Sequence, residues 1–237
     1  MKTIILLRKL EKYPVFNLKT FGEIIGKNRD YAKLVIFRLK KEGLIFEIER
    51  NRYTLNKDPL IVASNILWPC YISSWTALRY YNLTEQLPQI IYIMTTRAKK
   101  KKEVSFNNTK IVFIKIKPKY FFGYKKETYN GFQIFIAEKE KAIIDSALFK
   151  KISFSEISDI VNNNIKNINI LLFTNYLIKI KNKALIKRFG FLLYKNNIDI
   201  YKKVKKFINF KYISLDYAIK AKGEKNKKWK VIENVEL

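Results

Sequence analysis

Apolar residues recur at helical spacing through residues 16–55, and this segment has the clearest pattern in the chain. Its first part predicts a short helix, because apolar side chains repeat every three or four positions, at Leu18, Phe21, Ile24 and Ile25. Asn17 stands where an N-cap is needed, since its side chain can accept from backbone N–H groups of the first turn. Gly26 follows the last apolar residue and ends this helix.

A second helix is predicted over residues 29–42, directly after Asn28, which can cap it. Gly43 supplies the left-handed conformation that commonly ends a helix. The apolar stripe of this helix consists of Ala32, Val35, Ile36 and Leu39. The opposite face carries Asp30, Lys33, Leu34, Phe37, Arg38 and Lys41.

Two short strands, residues 44–48 and 52–55, are predicted on either side of a tight turn at residues 49–51. Another helix, residues 3–12, precedes the segment, and its inward-facing residues are predicted to be Ile4, Leu7 and Leu10. Three helices followed by a β-hairpin is the element order of a winged helix-turn-helix, which is a DNA-binding arrangement. The alternative is a small helical domain used only for protein contacts.

The region beyond the hairpin predicts a second domain, and the Lys-Asp-Pro sequence at residues 57–59 marks the boundary. Residues 1–57 would then form the winged helix-turn-helix domain and residues 58–237 an α+β domain. Within the latter, residues 58–150 are expected to mix strands with helices, and residues 151–237 to be mainly helical and basic. The predicted fold class is therefore α+β.

Alternation and β-branched residues predict strands at residues 90–95, 110–117, 121–124, 133–136 and 229–232. Helical spacing predicts helices at residues 74–81, 138–149, 168–180, 183–194 and 199–208, and another that starts at Ser153 or Ser155 and runs to residue 161. Residues 69–73 are expected to be a connection, with Ser73 or Ser74 capping the next helix. Glu138, Glu140 and Asp145 alternate with lysines, so solvated ion pairs are expected of them rather than catalysis.

Charge points to a polyanionic partner. The 237-residue chain has a formal net charge of +28 and 48% hydrophobic residues, which together predict a folded protein that binds nucleic acid or an anionic surface. The abundance of Lys, Ile, Asn, Phe and Tyr also fits an A+T-rich genome, so the sequence leaves open whether the lysine excess serves binding or follows from codon usage. Residues 178–230 are more basic than residues 1–56, either as a second phosphate-contacting surface or as a lysine-rich solvated face.

Several kinds of site are excluded by composition. The chain has no histidine and a single cysteine, which excludes histidine-based acid–base catalysis, Ser-His-Asp triads and zinc sites of the Cys or His type. No cofactor or metal is expected. The sequence has no apolar run long enough for a transmembrane helix and no signal-peptide pattern near Met1, so a cytoplasmic protein without a membrane partner is expected.

The predicted DNA-reading residues lie in the second helix of the helix-turn-helix, because such domains contact bases with the first turns of this helix. Arg29 and Lys33 are the main candidates for base contacts, since both side chains can pair with guanine. Asn28 or Tyr31 would reach a phosphate or a base edge. Residues suited to phosphates are Lys19, Lys27, Lys40 and Lys41. Arg50 and Arg52, in the hairpin, suit the minor groove or the DNA backbone.

Leu34 and Phe37 are unexpected on the polar face of this helix. They would contact thymine methyl groups in an A+T-rich operator, or pack on the second domain or on a partner protomer. We favour packing, because burial is the commoner fate of a phenylalanine. The oligomeric state, monomer or weak dimer, does not follow from the sequence.

Four segments, in this order, resemble the AbiEi antitoxin family of type IV toxin–antitoxin systems. They are the N-terminal helix-turn-helix, YISSWTALRYYNLTEQLP at residues 71–88, IAEKEKAIIDSAL at residues 136–148, and KRFGFLLYKN at residues 187–196, followed by a tail with Leu215, Asp216, Gly223 and WKVIEN at residues 229–234. The resemblance covers nearly the whole chain. The chain departs from the family at Tyr80-Tyr81-Asn82 and in the lysine-dense run RAKKKK at residues 97–102.

The resemblance implies a non-enzymatic protein with two roles. The N-terminal domain would repress its own operon, a viral-defence operon, by binding inverted repeats in double-stranded promoter DNA. The C-terminal domain would counter a nucleotidyltransferase-like toxin, and the sequence leaves open whether it binds the toxin directly, opposes the toxin's modification of its target, or both. Basic residues would allow it to approach the toxin or its RNA target. The surface expected to serve this role comprises Lys187, Arg188, Lys202, Lys203, Lys205 and Lys206.

Two alternatives remain open. One is an orphan winged-helix transcriptional regulator without a toxin, and the other is a nucleic-acid-processing enzyme such as a nuclease. The absence of histidine and of clustered carboxylates in the sequence weighs against the enzyme.

Overall fold

The computed structural model describes residues 3–236 and has a mixed α+β fold, as predicted. The α-helices within this range are α1 (Thr3–Leu10), α2 (Leu18–Ile25), α3 (Arg29–Lys41), α4 (Pro59–Asn65), α5 (Trp75–Tyr80), α6 (Lys139–Leu148), α7 (Phe154–Asn164), α8 (Ile170–Ile180), α9 (Lys183–Lys195) and α10 (Tyr201–Val204). The strands there are β1 (Phe46–Glu49), β2 (Arg52–Thr54), β3 (Cys70–Ser73), β4 (Ile90–Thr95), β5 (Glu103–Phe106), β6 (Thr109–Lys115), β7 (Tyr124–Tyr129), β8 (Phe132–Ala137), β9 (Ile213–Ser214), β10 (Glu224–Asn226) and β11 (Val231–Glu233).

Helices α2 and α3 form as local signals predict. Asn17 Oδ1 accepts from the backbone N–H of Thr20 at 3.0 Å and so caps α2. Gly26 takes the left-handed conformation, with φ of 63°, and ends α2. The buried side chains of α3 are Ala32, Ile36 and Leu39, and Val35 is half-buried. These helices, α1 and the hairpin β1–β2 share one core of Leu6, Leu10, Phe16, Phe21, Ala32, Ile36, Leu39 and Ile45.

The buried face of α1 differs from the predicted one. Leu6 and Leu10 are buried, whereas Ile4 is 67% exposed. Leu10 is buried as predicted and Leu7 is half-buried, but the residue that pairs with Leu10, one turn away, is Leu6 rather than Ile4, and α1 ends at Leu10 rather than at residue 12. A continuous apolar run such as residues 4–7 leaves the buried side ambiguous from sequence alone.

Six strands form a mixed sheet in the order β5-β6-β4-β3-β8-β7. Strand β4 pairs with β6 in parallel, β3 with β8 in parallel, and β5 with β6 in antiparallel. The prediction of a connection at residues 69–73 is wrong, because Cys70–Ser73 is a fully buried strand inside this sheet. Strand β5 was not predicted. Both are four-residue strands, and β3 has no polar alternation because both its faces are covered.

The chain divides into two compact units that differ from a simple N- and C-terminal split. Unit 1 contains residues 1–72, 89–116 and 126–136, and unit 2 contains residues 73–88, 117–125 and 137–237. Residues 1–57 thus belong to a unit that also includes most of the six-stranded sheet. The predicted boundary after residue 57 stays a prediction. None of the helices within residues 3–236 has the length and apolarity needed to cross a membrane.

The structure around α6, in unit 2, contradicts two predictions, one on solvated carboxylates and one on the cap of α5. Glu140 and Asp145 are buried rather than solvated, and Lys141 pairs with Asp145 with both side chains 0% exposed. Burial lowers the pKa of Lys141, and the neighbouring carboxylate of Asp145 opposes this shift. Ser73, also in unit 2, donates to Asp145 Oδ2 at 3.0 Å, so its hydroxyl is bound to α6 instead of capping α5.

Ser74 also does not cap α5 through its side chain. It adopts a φ of 59° at the turn between β3 and α5, and its Oγ lies 3.3 Å from Ser146 Oγ on α6. Glu140 Oε1 accepts from the backbone N–H of Asn169 at 2.8 Å, at the start of α8. These carboxylates and hydroxyls therefore hold elements of unit 2 together.

The core of unit 2 is aromatic. Phe189, on α9, packs edge-on against Phe154 on α7 and Phe173 on α8, with ring centroids 5.3 and 5.1 Å apart. Trp229 is fully buried beside Gly190 of α9. The region predicted to be mainly helical also contains a three-stranded sheet of order β10-β11-β9, which covers one side of α9.

Candidate nucleic-acid interface

The exposed face of α3 carries the predicted base-reading residues. Arg29 and Lys33 are exposed at its N-terminal end, and Tyr31 is 48% exposed. Lys33 Nζ lies 3.0 Å from Asp30 Oδ1, an ion pair on the solvent side that contributes little to stability and can be exchanged for a nucleic-acid contact. Within residues 3–236, Arg29 forms no ion pair with a carboxylate.

Asn28 has a structural role that limits its part in recognition. Its Oδ1 accepts from the backbone N–H of Tyr31 at 3.0 Å and caps α3. The oxygen of Asn28 is thereby occupied, and the amide N–H groups are the donors left for a phosphate or a base edge. The cap also directs the first turn of α3, including Arg29, toward solvent.

A concave surface lies between α2, the turn before α3 and the tip of the hairpin, and it encloses a volume of about 610 Å³. Its lining contains the cations Lys19, Lys27 and Arg29, and also Asn51 of the hairpin turn. The backbone N–H of Leu18 donates to Asn51 Oδ1 at 2.9 Å, which ties the hairpin tip to the start of α2. Lys19 lies 3.9 Å from Glu23 in a highly exposed pair, so all three cations are accessible to a phosphate backbone.

The remaining predicted phosphate contacts do not share one environment. Lys40 forms an ion pair with Glu47 of β1 and links α3 to the hairpin. Lys41 and Arg50 are exposed, and Arg52 is half-buried on β2. No ion pair with a carboxylate is formed by Lys41, Arg50 or Arg52 in the described part of the chain. Lys40, in contrast, stabilises the contact between α3 and the hairpin.

Leu34 and Phe37 are exposed, Leu34 at 45% and Phe37 at 65%. Neither side chain is buried by the residues of unit 1, so packing on the part of the predicted second domain that belongs to this unit is wrong. The other contacts expected of these two side chains stay predictions.

The structure adds Lys99, which the sequence identifies only as part of a basic loop. Lys99 Nζ contacts both carboxylate oxygens of Glu49, at 2.7 and 2.6 Å, and lies 4.7 Å from the centre of the Phe113 ring. Glu49 is the last residue of β1, directly before Arg50. The ion pair, with Lys99 14% and Glu49 18% exposed, therefore fixes the basic loop of residues 97–102 beside the hairpin. No local sequence signal indicates this contact, because fifty residues separate the partners.

The predicted antitoxin surface is only partly a surface. Lys202, Lys203, Lys205 and Lys206 are exposed, as expected. Lys187 and Arg188 are instead 1% and 8% exposed, so their assignment to a solvated face is wrong. Both lie on α9, which is covered by other parts of unit 2 and supplies partners for their charges.

Lys187 is buried without a carboxylate partner within residues 3–236. Its Nζ donates to Asn209 Oδ1 at 2.6 Å and to the carbonyl oxygen of Lys211. Burial lowers the pKa of Lys187, and the nearby cations Lys183, Lys230 and Lys211 lower it further.

Arg188 holds the strand β9. Its Nε donates to the carbonyl oxygens of Ser214 at 3.1 Å and Leu215 at 2.8 Å, and its guanidinium lies 5.2 Å from the centre of the Tyr217 ring. The motif KRFGF at residues 187–191 therefore has a structural explanation, because each of its five residues is buried in unit 2.

The fold has a counterpart among solved structures. The crystal structure of the RV2827C protein from Mycobacterium tuberculosis is similar to this chain with a TM-score of 0.65 at 9% sequence identity, covering 97% of this chain and 90% of that one. At this identity the likeness is one of fold alone. No protein-family model and no curated protein matches the sequence.

Proposed function

We propose that this protein is the DNA-binding antitoxin of a type IV toxin–antitoxin system, and that it represses its own operon through an N-terminal winged helix-turn-helix. One observation carries the DNA-binding half. Helices α2 and α3, with the turn between them and the hairpin β1–β2, form a single packed group whose exposed basic residues surround one concave surface. This element order is the one found in winged helix-turn-helix domains.

In this proposal each cation has a task set by its position. Arg29 and Lys33 enter the major groove with the first turns of α3 and pair with base edges. Lys19 and Lys27, beside the turn between the helices, contact phosphates and set the orientation. Arg50, at the hairpin tip, contacts the DNA backbone or the minor groove on the flank. Lys40 supports the hairpin through Glu47 and makes a smaller contribution to affinity.

The DNA-binding proposal is tested by titrating the chain's own promoter in a mobility-shift assay. Arg29→Ala is expected to weaken specific binding by about 1–3 kcal/mol and to relax sequence preference at one position of each half-site. Lys166→Ala, which removes an exposed lysine of unit 2, is the control and should bind as the parent protein does. Unchanged affinity and preference in Arg29→Ala would exclude Arg29 from base recognition. A parent protein that binds no duplex would exclude DNA binding altogether.

The antitoxin half rests on the family resemblance and on the exposed lysines near α10. Reversing the charge of Lys202, Lys203, Lys205 and Lys206 together is expected to abolish rescue from a co-expressed nucleotidyltransferase-like toxin while operator binding is retained. Preserved rescue would exclude this lysine cluster from the antitoxin role. Measuring both Arg29→Ala and the lysine reversal, each in the full chain, for operator binding and for rescue would assign the two roles to their parts of the chain.

Two further observations distinguish the proposed antitoxin from an orphan regulator and from a nuclease. A neighbouring gene for a nucleotidyltransferase-like protein favours the antitoxin, and its absence favours an orphan regulator. A Mg²⁺-dependent cleavage assay on duplex and single-stranded substrates addresses the nuclease. Sustained turnover there would overturn the assignment as a non-enzymatic protein.

A further inference from the structure

Phe210, in unit 2, is 91% exposed, although it stands between two residues that a buried side chain holds in place. Lys187 donates to the side chain of Asn209 and to the backbone carbonyl of Lys211, the residues on either side of Phe210. The segment that carries the exposed ring is therefore anchored from beneath. An aromatic ring that is both exposed and anchored differs from a surface side chain on a free loop.

Two unfavourable features coincide at these residues. A phenylalanine ring in water forgoes the free energy of burial, and a buried ammonium group without a carboxylate partner has exchanged its hydration for only two neutral acceptors. Neither feature improves the packing of unit 2, whose aromatic core of Phe154, Phe173 and Phe189 lies elsewhere. Their coincidence indicates that the position of Phe210 is needed for binding rather than for folding.

The surroundings of Phe210 are strongly cationic. Lys211 and Lys183 are exposed, and the field of both, together with that of Lys230, depresses the pKa of the Lys187 ammonium beyond the effect of burial. A second aromatic ring, Tyr212, lies between two cations, with Lys225 Nζ 5.6 Å and Lys230 Nζ 5.3 Å from its centre. Aromatic rings interleaved with lysines are typical of surfaces that bind single-stranded nucleic acid.

We propose that Phe210, with Tyr212 and the lysines around it, forms a binding site for single-stranded nucleic acid on unit 2, in which a base stacks on Phe210 and the lysines neutralise the adjacent phosphates. Lys187 is the positioning residue of this site, because it orients the segment without reaching the ligand. The site is separate from the operator-binding surface on α3 and does not depend on it.

The chemistry favours a single strand over the other polyanions. In a duplex the base faces are stacked on one another, so an exposed ring has no base face to contact. An acidic peptide would satisfy the lysines and leave the phenylalanine ring without an equivalent contact. A single strand offers both groups at once, since each nucleotide carries a π-face and a phosphate.

The test is a fluorescence-anisotropy titration of the full chain with a fluorescein-labelled oligouridylate and, in parallel, with promoter duplex. Phe210→Ala is expected to weaken oligouridylate binding by about 5-fold to 150-fold, the range for loss of one stacked base. Binding of promoter duplex should not change. Leu171→Ala, which removes a 61% exposed apolar side chain of the same unit, is the matched control and should bind the single strand as the parent does.

Two further variants report on the stacking and on the phosphates separately. Phe210→Trp should bind the oligouridylate as the parent does, unlike Phe210→Ala. Its tryptophan fluorescence should be quenched by the bound base more strongly than that of the parent protein. Lys211→Gln with Lys230→Gln should reduce the slope of log Kd against log salt, by about 0.7 for each phosphate that is no longer neutralised. Oligouridylate binding by Phe210→Ala within twofold of the parent would overturn the proposal. This is the result expected if the surface contacts a protein instead of a nucleic acid. Absence of single-strand binding by the parent would overturn the proposal too, whatever the result with duplex.

Discussion

Trp229 lies so close to Gly190 of α9 that a Cβ atom at Gly190 would be 2.0 Å from the indole Cζ3. The indole ring is fully buried, and α9 passes beneath it without a side chain at this position. This contact closes the three-stranded sheet over α9, because Trp229 stands just before β11. Gly190 is therefore required for close approach rather than for an unusual backbone conformation.

Gly190→Ala should destabilise the protein by at least about 2 kcal/mol, because the added methyl group has no space and the indole must move. Urea denaturation followed by circular dichroism measures the loss. Trp229→Phe removes the ring atoms that the methyl group would meet, so the double variant should lose less stability than the sum of the two single variants. Additive losses would show that the two positions are not coupled.

Lys141→Met should cost about 3–5 kcal/mol, because it leaves the carboxylate of Asp145 buried without its ammonium partner. Adding Asp145→Asn should recover part of this loss, since the uncompensated charge is then removed. The control Lys166→Met changes an exposed lysine and should stay within about 0.5 kcal/mol of the parent. A loss from Lys141→Met no larger than that of the control would contradict the buried ion pair.

Glu49→Gln should accelerate tryptic cleavage within residues 97–102. The substitution weakens the contact of Glu49 with Lys99, which holds this loop beside the hairpin, but leaves every cleavage site in place. We expect a rate increase of several-fold to about 10-fold, corresponding to about 1–1.5 kcal/mol of local opening. Glu23→Gln breaks the more exposed pair with Lys19 and should change the rate much less. Equal rates in the two variants would exclude the anchoring role of Lys99.

Asp216 should make the stability of unit 2 sensitive to acid. Its buried carboxylate accepts from Ser155 N–H at 2.9 Å, Ser155 Oγ at 2.6 Å and Ala218 N–H at 2.7 Å. Burial raises the pKa of Asp216, but these donors outweigh it and bring the pKa below the usual 3.8. Because the folded-state pKa is the lower one, the stabilisation is complete above the unfolded value and is lost as pH falls through the folded value.

Asp216→Asn should therefore lower stability at pH 7, by about 1–3 kcal/mol, and flatten the acid limb of the stability–pH profile below about pH 4. Denaturant titrations from acid to neutral pH compare the two proteins. Asp159→Asn, which changes an exposed carboxylate on α7, is the control. An acid limb that is as steep in Asp216→Asn as in the parent would contradict the assigned role.

Local signals in the sequence were sufficient to predict helices α2 and α3. The caps at Asn17 and Asn28, the stop at Gly26 and the stripe on α3 involve partners within about four residues. The dipeptide Asn130-Gly131 is a local signal of the same kind, because Asn-Gly favours a hairpin turn with positive φ at both residues, and their φ values are 47° and 78°. The same rules failed for β3, whose short apolar run has no periodicity to distinguish a buried strand from a loop.

The residues of the candidate sites also differ in whether near neighbours or distant partners determine their exposure. Lys33 lies opposite the apolar stripe of α3 and Arg29 in the first turn of this helix, so both residues could be selected from the sequence. Burial of Lys187 and Arg188 could not, because the acceptors of these side chains lie 22 to 27 residues further along the chain. For a lysine in a lysine-rich segment, the sequence alone predicts exposure to solvent, and only the tertiary structure shows the acceptors that allow its burial.

The sequence by itself determined that the chain is basic and α+β, and that a capped helix pair and a hairpin stand near its N-terminus. These features depend on composition and on interactions between near neighbours. Only the tertiary structure decided which charges are structural and which are accessible, as with the pairs Lys141–Asp145 and Lys99–Glu49 and the anchored segment around Phe210. The physical reason is that the free energy of a buried charge depends on its burial and on the partners that surround it after folding. Even the four-residue spacing of Lys141 and Asp145 on α6 does not show that this pair is buried.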